Sequence, residues 1–231
     1  MKKEFKFVDL DKTILPTAKG KNQDGFRFYS IDGQNYPSVT SVLGVKKKKE
    51  LANWRQSIGE DVANWEMGRA ARRGKSTHTL VEQYLKGEPL TERSVLPLGL
   101  FKLIRPYVEQ IDNIHMIEQV MYSKELGLAG QCDCIGEYNG KLSVIDFKTA
   151  NKERQESWID NYFLQTTAYA QMYEETFGKN IDQIVILLAS EDGSVQNFVK
   201  EKKDYMSPLM KSIDEFYKYY QEQNKDKIKQ D

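Results

Sequence analysis

The sequence predicts an α/β (α+β) fold in which a mixed central β-sheet is flanked by helices. Helical patterns dominate residues 1–115, whereas residues 116–231 show three strands, a helix, two strands and a closing helix. This order of elements is typical of a sheet covered by helices. The pair Asn139-Gly140 between two apolar stretches indicates a β-hairpin. With 231 residues, 39% of them hydrophobic, the chain suits a single domain over residues 1–231.

The N-terminal half begins with an irregular or β-like stretch over residues 1–37, with a turn at Asp32-Gly33. Ser38 is a favourable N-cap residue, so we expect a short helix from there through Leu43, ended by Gly44. Apolar periodicity predicts three further helices, the last of them strained near Pro106, over residues 48–68, 69–85 and 94–112.

The C-terminal half alternates strands and helices. We predict a strand over residues 117–123, the hairpin over 127–150, and a helix over 156–177 that Gly178 ends. An apolar strand over 181–190 and a strand near Phe198 follow, joined through the Asp192-Gly193 turn. A helix over residues 207–225 closes the chain.

The hairpin brings two acidic residues together. If Asn139-Gly140 forms a type I′ turn, Tyr138 pairs with Lys141 and the numbers of paired residues sum to 279. Asp133 then lies opposite Asp146. Like charges in opposed positions are destabilising, and a hard divalent cation such as Mg²⁺ or Mn²⁺ can compensate them.

Lys148 follows Asp146 by two residues, so strand alternation places both side chains on one face. The alternative is an ordinary exposed hairpin face with scattered charges, to which most short D-x-K sequences belong. Apolar Val144 and Ile145 precede Asp146, as in a strand buried on both faces. This context favours a functional site.

His78 and Glu118 are candidate additions to that site. His78 and Glu82 are i,i+4 neighbours on one helix, so Glu82 could orient a metal-binding imidazole. The alternative is a surface ion pair. Glu118 opens the strand before the hairpin and reaches Asp133 if those strands pair; otherwise it is a strand-end surface charge. We interpret His115 as structural.

Gln165 and Tyr169 are four residues apart on a predicted helix, and Asn161 extends the same face back by one turn. Polar residues in a semi-apolar helix favour contact with a site or ligand. Core packing with a buried hydroxyl is the alternative.

Cys132 and Cys134 are the only cysteines, and their C-x-C spacing on a strand points both side chains to one face. We interpret them as reduced thiols. Two cysteines cannot supply the four ligands of a usual iron–sulfur cluster or Cys₄ zinc site, so we expect neither.

No apolar run approaches the roughly 18 residues that span a bilayer, so we expect no membrane association. The N-terminus has no apolar signal region and is not an acid-poor, Arg-rich presequence. We therefore expect neither signal nor transit peptide and a cytoplasmic monomer.

The net charge is zero, but its distribution is uneven. Residues 41–75 hold nine basic and four acidic residues, a local excess typical of a phosphate-binding surface. A solvated helix face is the alternative. Trp54 could stack on a base, although helical packing also explains it. The candidate binding residues are Lys46, Lys47, Lys48, Lys49, Trp54, Arg69, Arg72, Arg73 and Lys75.

Together, His78, Asp133, the segment Asp146-Phe147-Lys148 and the Gln165/Tyr169 pair resemble the PD-(D/E)xK nuclease superfamily, in its RecB-like exonuclease branch. Within that branch, the segments YPSVTSVLG, RGKSTHTLVEQYL and NYFLQTTAY resemble the mitochondrial genome maintenance exonucleases. Because we expect no transit peptide, we interpret the chain as a bacterial or phage relative, located in a bacterial cell or a phage-infected host.

The resemblance implies a restriction-endonuclease-like core and hydrolysis of DNA, with a preference for single strands with free ends and with Mg²⁺ or Mn²⁺ as cofactor. It implies that His78, Asp133, Asp146 and the Phe147 carbonyl bind the metal and that Lys148 orients water and stabilises charge. Gln165 and Tyr169 match the site-supporting motif, and Glu118 resembles a secondary acid. Residues 1–115 would guide DNA to the catalytic core, residues 116–231.

Two other functions remain open from the sequence. A flap or structure-specific endonuclease could use the same core. A nucleic-acid-binding module without turnover could retain the fold, although the presence of every acid and the lysine argues against it.

Overall fold

The computed structural model describes residues 3–228, with side chains described through residue 223. A small antiparallel sheet comes first, with strands β1 (Gly20–Gln23), β2 (Phe26–Ile31) and β3 (Gln34–Pro37). Four helices follow: α1 (Val39–Gly44), α2 (Lys48–Ile58), α3 (Glu60–Leu85) and α4 (Val95–Val108). Among residues 3–228, no helix is both long and apolar enough to cross a membrane.

The central sheet has five strands in chain order: β4 (Ile111–Ser123), β5 (Leu128–Tyr138), β6 (Lys141–Ala150), β7 (Gln183–Ser190) and β8 (Val195–Glu201). Only β6 and β7 are parallel, because helix α5 (Asp160–Phe177) crosses over between them. Helix α6 (Lys203–Ile228) closes the described chain. The predicted mixed sheet flanked by helices is confirmed.

The sheet separates two apolar clusters. One contains Val144 of β6 with residues of α1, α5 and α6, and the other contains Ile145 with residues of α3 and α4. Alternate side chains of a strand point to opposite faces, so β6 contributes to both clusters. Helices on both faces explain why Val144 and Ile145 are both apolar.

Several predicted boundaries are wrong. The helix expected over 48–68 ends at Ile58, because Gly59 has φ 87° and starts a new helix that runs unbroken to Leu85. Helix α4 ends at Val108, two residues after Pro106. Strand β4 begins at Ile111 and not at residue 117, so the predicted division at residue 115 lies within a strand.

The hairpin turn is confirmed: Asn139 and Gly140 have φ of 51° and 77°, and Tyr138 pairs with Lys141. The predicted register holds up to the Cys134–Ile145 pair, where the described ladder ends. The direct pairing of Asp133 with Asp146 is therefore wrong. Instead, the Phe147 N–H donates to Asp133 Oδ2 at 2.9 Å.

The strand is irregular at this point. Cys132 and Cys134 belong to different apolar clusters, so the prediction that they share one face is also wrong. Both are buried free thiols.

Gly140→Ala tests the turn. An L-residue in the left-handed region costs about 1–2 kcal/mol, so we expect the free energy of unfolding to fall by about that amount. Gly44→Ala is the control, because Gly44 ends a helix without positive φ and an added Cβ meets open space. Urea denaturation measures both; equal stability of the two variants would contradict the turn assignment.

Candidate active site

Five elements converge where the β5–β6 ladder ends. Strands β4, β5 and β6 contribute Glu118, Asp133 and Asp146, and helices α3 and α5 contribute His78 and Gln165. The structure thus gathers around one site predicted residues that are spread over residues 78–165 of the sequence.

His78, Glu118 and Asp133 form a potential metal-binding cluster. One ligand atom from each lies within 4.8 Å of the others, and His78 Nδ1 is 3.4 Å from Asp133 Oδ2. The ring of Phe147 packs edge-on against the His78 ring, with centroids 6.3 Å apart. These contacts fix the imidazole beside the carboxylates.

The β4–β5 register explains the place of Glu118. Ile117 pairs with Cys134 and Gln119 pairs with Cys132, so Glu118 falls opposite Asp133. Glu118 has φ 51°, a left-handed conformation that is rare for non-glycine residues and typical of functional sites. Gln131 Nε2 donates to both Glu118 Oε2, at 2.9 Å, and the Glu118 carbonyl, at 3.1 Å.

Burial, and then the neighbouring carboxylate of Asp133, raise the pKa of Glu118 to about 8. Ionising Glu118 beside Asp133 is therefore costly, and a bound cation would lower that cost.

Asp146 is 1% exposed, and its Oδ2 is 2.6 Å from Lys148 Nζ. Apart from this ion pair, neither carboxylate oxygen has a hydrogen-bond partner within the described part of the chain. Burial raises the pKa of Asp146. An under-coordinated buried carboxylate beside a His/Glu/Asp cluster is suited to a divalent cation.

Helix α5 supports Lys148 from the other side. Lys148 Nζ donates to Gln165 Oε1 at 3.3 Å, and Gln165 Nε2 donates to the Tyr169 hydroxyl at 3.4 Å. Tyr162 places its ring 4.9 Å from the Lys148 ammonium. Burial alone would lower the pKa of Lys148, but the carboxylates of Asp146 and Asp133 outweigh it, and the pKa is raised. Lys148 therefore stays charged.

Gly130 makes room for this support. A Cβ at that position would lie 2.8 Å from Tyr169 Cε1, closer than side chains tolerate. The glycine thus permits the Tyr169 ring to approach β5 closely.

The carboxylate oxygens fit Mg²⁺ or Mn²⁺, since hard cations take oxygen ligands, and the neutral imidazole is a common metal ligand that can complete the set. His78, Glu118, Asp133 and Asp146 are the residues that would hold it. The Phe147 carbonyl as a ligand stays a prediction.

One expected contact is absent from the described residues. Glu82 does not orient His78; its Oε1 accepts a hydrogen bond from Lys86 at 2.7 Å. Asn161 lies one turn before Gln165 on α5, and its amide donates to the Leu43 carbonyl at 3.1 Å. His115 is buried and hydrogen-bonded to Tyr173, in agreement with a structural role.

Two of the predicted phosphate-binding residues have structural partners instead. Arg73 is buried and bonded to Thr149, Asn151 and Glu191, so it ties α3 to the sheet and cannot contact a ligand. Lys48 lies 3.6 Å from the Phe26 ring centroid. We correct the assignment of Arg73, since its charge is already engaged by Glu191, whereas Lys48 stays a predicted DNA-binding residue.

The other predicted basic residues differ in their surroundings. Lys46 pairs with Glu215, Lys47 with the Trp158 carbonyl, and Arg69 with Glu66 and Glu191. Lys49, Arg72 and Lys75 are exposed, and Trp54 is 37% exposed. Lys75 alone of the set lines a pocket of about 330 Å³ that also contains His78 and Glu118.

Sequence reasoning missed Gln131 and Arg27. Gln131 holds Glu118, and Arg27 lines a second pocket beside Asp133. The only sequence signal for Gln131 was its position two residues before Asp133. Nothing in the sequence linked Arg27 to the site.

Mn²⁺ binding tests the cluster. We expect calorimetry to detect a site whose affinity falls strongly in His78→Gln and Asp133→Asn, because each removes a ligand. A cation favours ionised Glu118, whose raised pKa leaves it largely protonated at pH 7. Binding should therefore release a proton at pH 7 and tighten as pH rises from about 6 to 8.

Glu66→Gln is the control, since Glu66 lies on α3 about three turns before His78 and pairs with Arg69. Repeating the titration in buffers of different ionisation enthalpy measures proton release. Unchanged Mn²⁺ affinity in Asp133→Asn would refute the cluster as a metal site.

Sequence comparisons agree with this geometry. The chain is similar to mitochondrial genome maintenance exonuclease 1 of Homo sapiens, with 31% identity over 173 residues, 68% of this chain and 50% of that protein. The Mus musculus protein is 30% identical over 178 residues, 71% of this chain and 52% of that protein. The Xenopus tropicalis protein is 29% identical over 178 residues, covering 68% and 49% respectively. The chain thus spans about half the length of the curated relatives it matches.

The family match covers the site. Residues 100–230 match the PD-(D/E)XK nuclease superfamily, a range that contains β4, β5, β6 and α5. It includes Glu118, Asp133, Asp146, Lys148 and Gln165. This chain belongs to the PD-(D/E)XK nuclease superfamily.

Proposed function

We propose that this chain is a Mg²⁺- or Mn²⁺-dependent exonuclease that hydrolyses DNA phosphodiester bonds and prefers single strands with free ends. The observation that carries the proposal is the His78/Glu118/Asp133 cluster beside the buried Asp146–Lys148 ion pair. The relatives, of which this chain matches about half, are named exonucleases, and this supports exonuclease activity.

A bound cation would lower the pKa of a nucleophilic water and neutralise charge on the phosphate. His78, Glu118, Asp133 and Asp146 hold and orient it. Asp133 is itself fixed by the Phe147 N–H, and Glu118 by Gln131. Preorganised ligands reduce the rearrangement that the reaction requires.

Lys148 acts as a cation. Its raised pKa excludes it as a resting general base, so it stabilises negative charge that develops on the phosphate. Gln165 and Tyr169 keep its ammonium beside Asp146 and away from solvent. A site with these parts favours hydrolysis over binding alone.

The surroundings support a single-stranded substrate. The site lies between the 330 Å³ pocket, with Lys75, and a second pocket of about 170 Å³. Exposed Lys49, Arg72 and Lys75 on α2 and α3 supply a path for the backbone, and Trp54 offers a stacking surface. These DNA contacts remain part of the proposal.

Asp146→Asn and Lys148→Gln test the chemistry. We expect each to lower the cleavage rate of a labelled single strand in Mn²⁺ by at least about 100-fold, because each removes charge from the reacting centre. Lys141→Gln is the control, an exposed lysine of the same hairpin. Circular dichroism checks that the variants fold.

Undiminished cleavage by both variants would refute the assignment of Asp146 and Lys148 to the reacting centre. A wild-type protein that binds DNA but does not cleave it would instead favour the binding-module alternative.

Circular single strands test the need for ends. We expect linear oligonucleotides to be degraded while a circle of the same sequence stays intact, because an exonuclease acts from a terminus. Gel analysis of both substrates after equal incubation measures this. Linearisation of the circle would favour the flap or structure-specific endonuclease alternative.

A further inference from the structure

We propose that Arg27 binds a phosphate of the substrate strand in the 170 Å³ pocket, and that the Ser38–Ser41 segment holds Arg27 in place. This rests on the proposed function and adds a substrate-binding residue from the small N-terminal sheet. The strand would then extend from the Lys75 side of the metal cluster to the Arg27 side.

The pocket joins two parts of the chain. Strand β2 and the start of α1 form one wall, with Arg27, Tyr29, Ser38 and Thr40. The other wall belongs to the catalytic sheet and α5, and its lining residues include Glu118, Asp133, Gln165 and Tyr169. A bridge between Ser38 and Ala129 docks the two parts together. The pocket is therefore continuous with the site.

The backbone of Arg27 is held from both sides. Its N–H donates to Ser41 Oγ at 2.7 Å, and its carbonyl accepts from the Ser38 N–H at 2.7 Å. Ser38 Oγ in turn donates to Ser41 Oγ at 3.0 Å and accepts from the Ser41 N–H at 3.1 Å. Buried Val39 and Val42 anchor the segment in the core. These contacts give the serines and valines of the YPSVTSV segment a structural role, which the catalytic chemistry alone does not explain.

The side chain of Arg27 is also positioned. Its guanidinium lies 5.1 Å from the Tyr29 ring centroid. It crosses β1 at Gly20, where a Cβ would overlap it. Two neighbours thus restrict the side chain before any ligand binds, which lowers the entropy cost of binding.

The charge of Arg27 is unused. Within the described part of the chain, its guanidinium forms no ion pair, whereas Arg55, Arg69, Arg73 and Arg105 all have carboxylate partners. Arg27 is also the one basic residue among those that line the pocket. A guanidinium fork matches two phosphate oxygens, so an anion is its natural ligand.

The composition of the pocket identifies the anion. The carboxylates of Asp133 and of ionised Glu118 repel a free anion, so a phosphate enters when a cation on those carboxylates and Arg27 bind it from opposite sides. A volume of about 170 Å³ holds roughly six waters, which is room for a phosphate and part of a sugar. The ligand is therefore a backbone phosphate of the substrate strand.

Arg27→Gln is the test, with steady-state cleavage of a single-stranded oligonucleotide in Mn²⁺. We expect KM to rise about tenfold with kcat nearly unchanged, because a charge-assisted phosphate contact is lost away from the reacting bond. Arg27→Lys should recover part of the loss. Single-strand binding can be measured without cleavage in the Asp146→Asn protein. Adding Arg27→Gln to that protein should reduce the magnitude of the slope of log Kd against log salt by about 0.7.

Lys21→Gln is the matched control, an exposed cation on the neighbouring strand that does not line the pocket. It should leave KM and the salt slope unchanged. Ser41→Ala should raise KM in the same direction but less than Arg27→Gln, since it loosens only the backbone of Arg27.

The outcomes separate this inference from the proposed function. A wild-type protein that cleaves, together with Arg27→Gln of unchanged KM and salt slope, overturns the phosphate contact alone. A fall in kcat without a rise in KM also overturns it. A wild-type protein that neither binds nor cleaves single strands overturns both.

Discussion

Repulsion among the carboxylates of Glu118, Asp133 and Asp146 is the constraint on which the rest of the structure depends. They lie on three adjacent strands at the point where the regular β5–β6 ladder ends. Burial raises the pKa of both Glu118 and Asp146, so ionising these two carboxyl groups costs more in the folded chain than in water. Lys148 and the Phe147 N–H offset part of this cost, and a divalent cation would offset more.

The two helices that press on the site from opposite faces are held independently of it. Arg73 links α3 to Thr149 and Asn151 at the end of β6 and to Glu191, which follows β7. This network lies between one and two turns from His78 and fixes the height of the helix above the sheet. On the other face, Gly130 admits Tyr169 so that α5 can approach β5. The rigid scaffold therefore fixes the positions of the site side chains, which repulsion among the carboxylates would otherwise drive apart.

Local irregularity in the strands serves the same end. Glu118 adopts φ 51°, and the shift in cluster membership between Cys132 and Cys134 breaks strict alternation on both sides of Asp133. A regular ladder would place Asp133 on one face of the sheet. The irregular one lets its carboxylate meet both His78 of α3 and the Phe147 N–H of β6. The strained backbone at these residues persists because the many regular backbone pairs around them stabilise the sheet.

The sequence by itself determined the mixed sheet and the Asn139-Gly140 turn, because turn chemistry and apolar periodicity are local, and its motifs pointed to most residues that the structure gathers at the candidate site. Only the tertiary structure decided how the acids meet. Extending the hairpin register to Asp133 failed where the ladder ends, and β4 could not be aligned with β5 from local signals, so Glu118 stayed ambiguous. Arg73 and Arg27 show the same limit: both are arginines, but one pairs with Glu191 and the other faces an open pocket. Whether a charged side chain is paired within the fold or free to bind a ligand depends on partners that are distant in sequence. The local sequence does not indicate these partners.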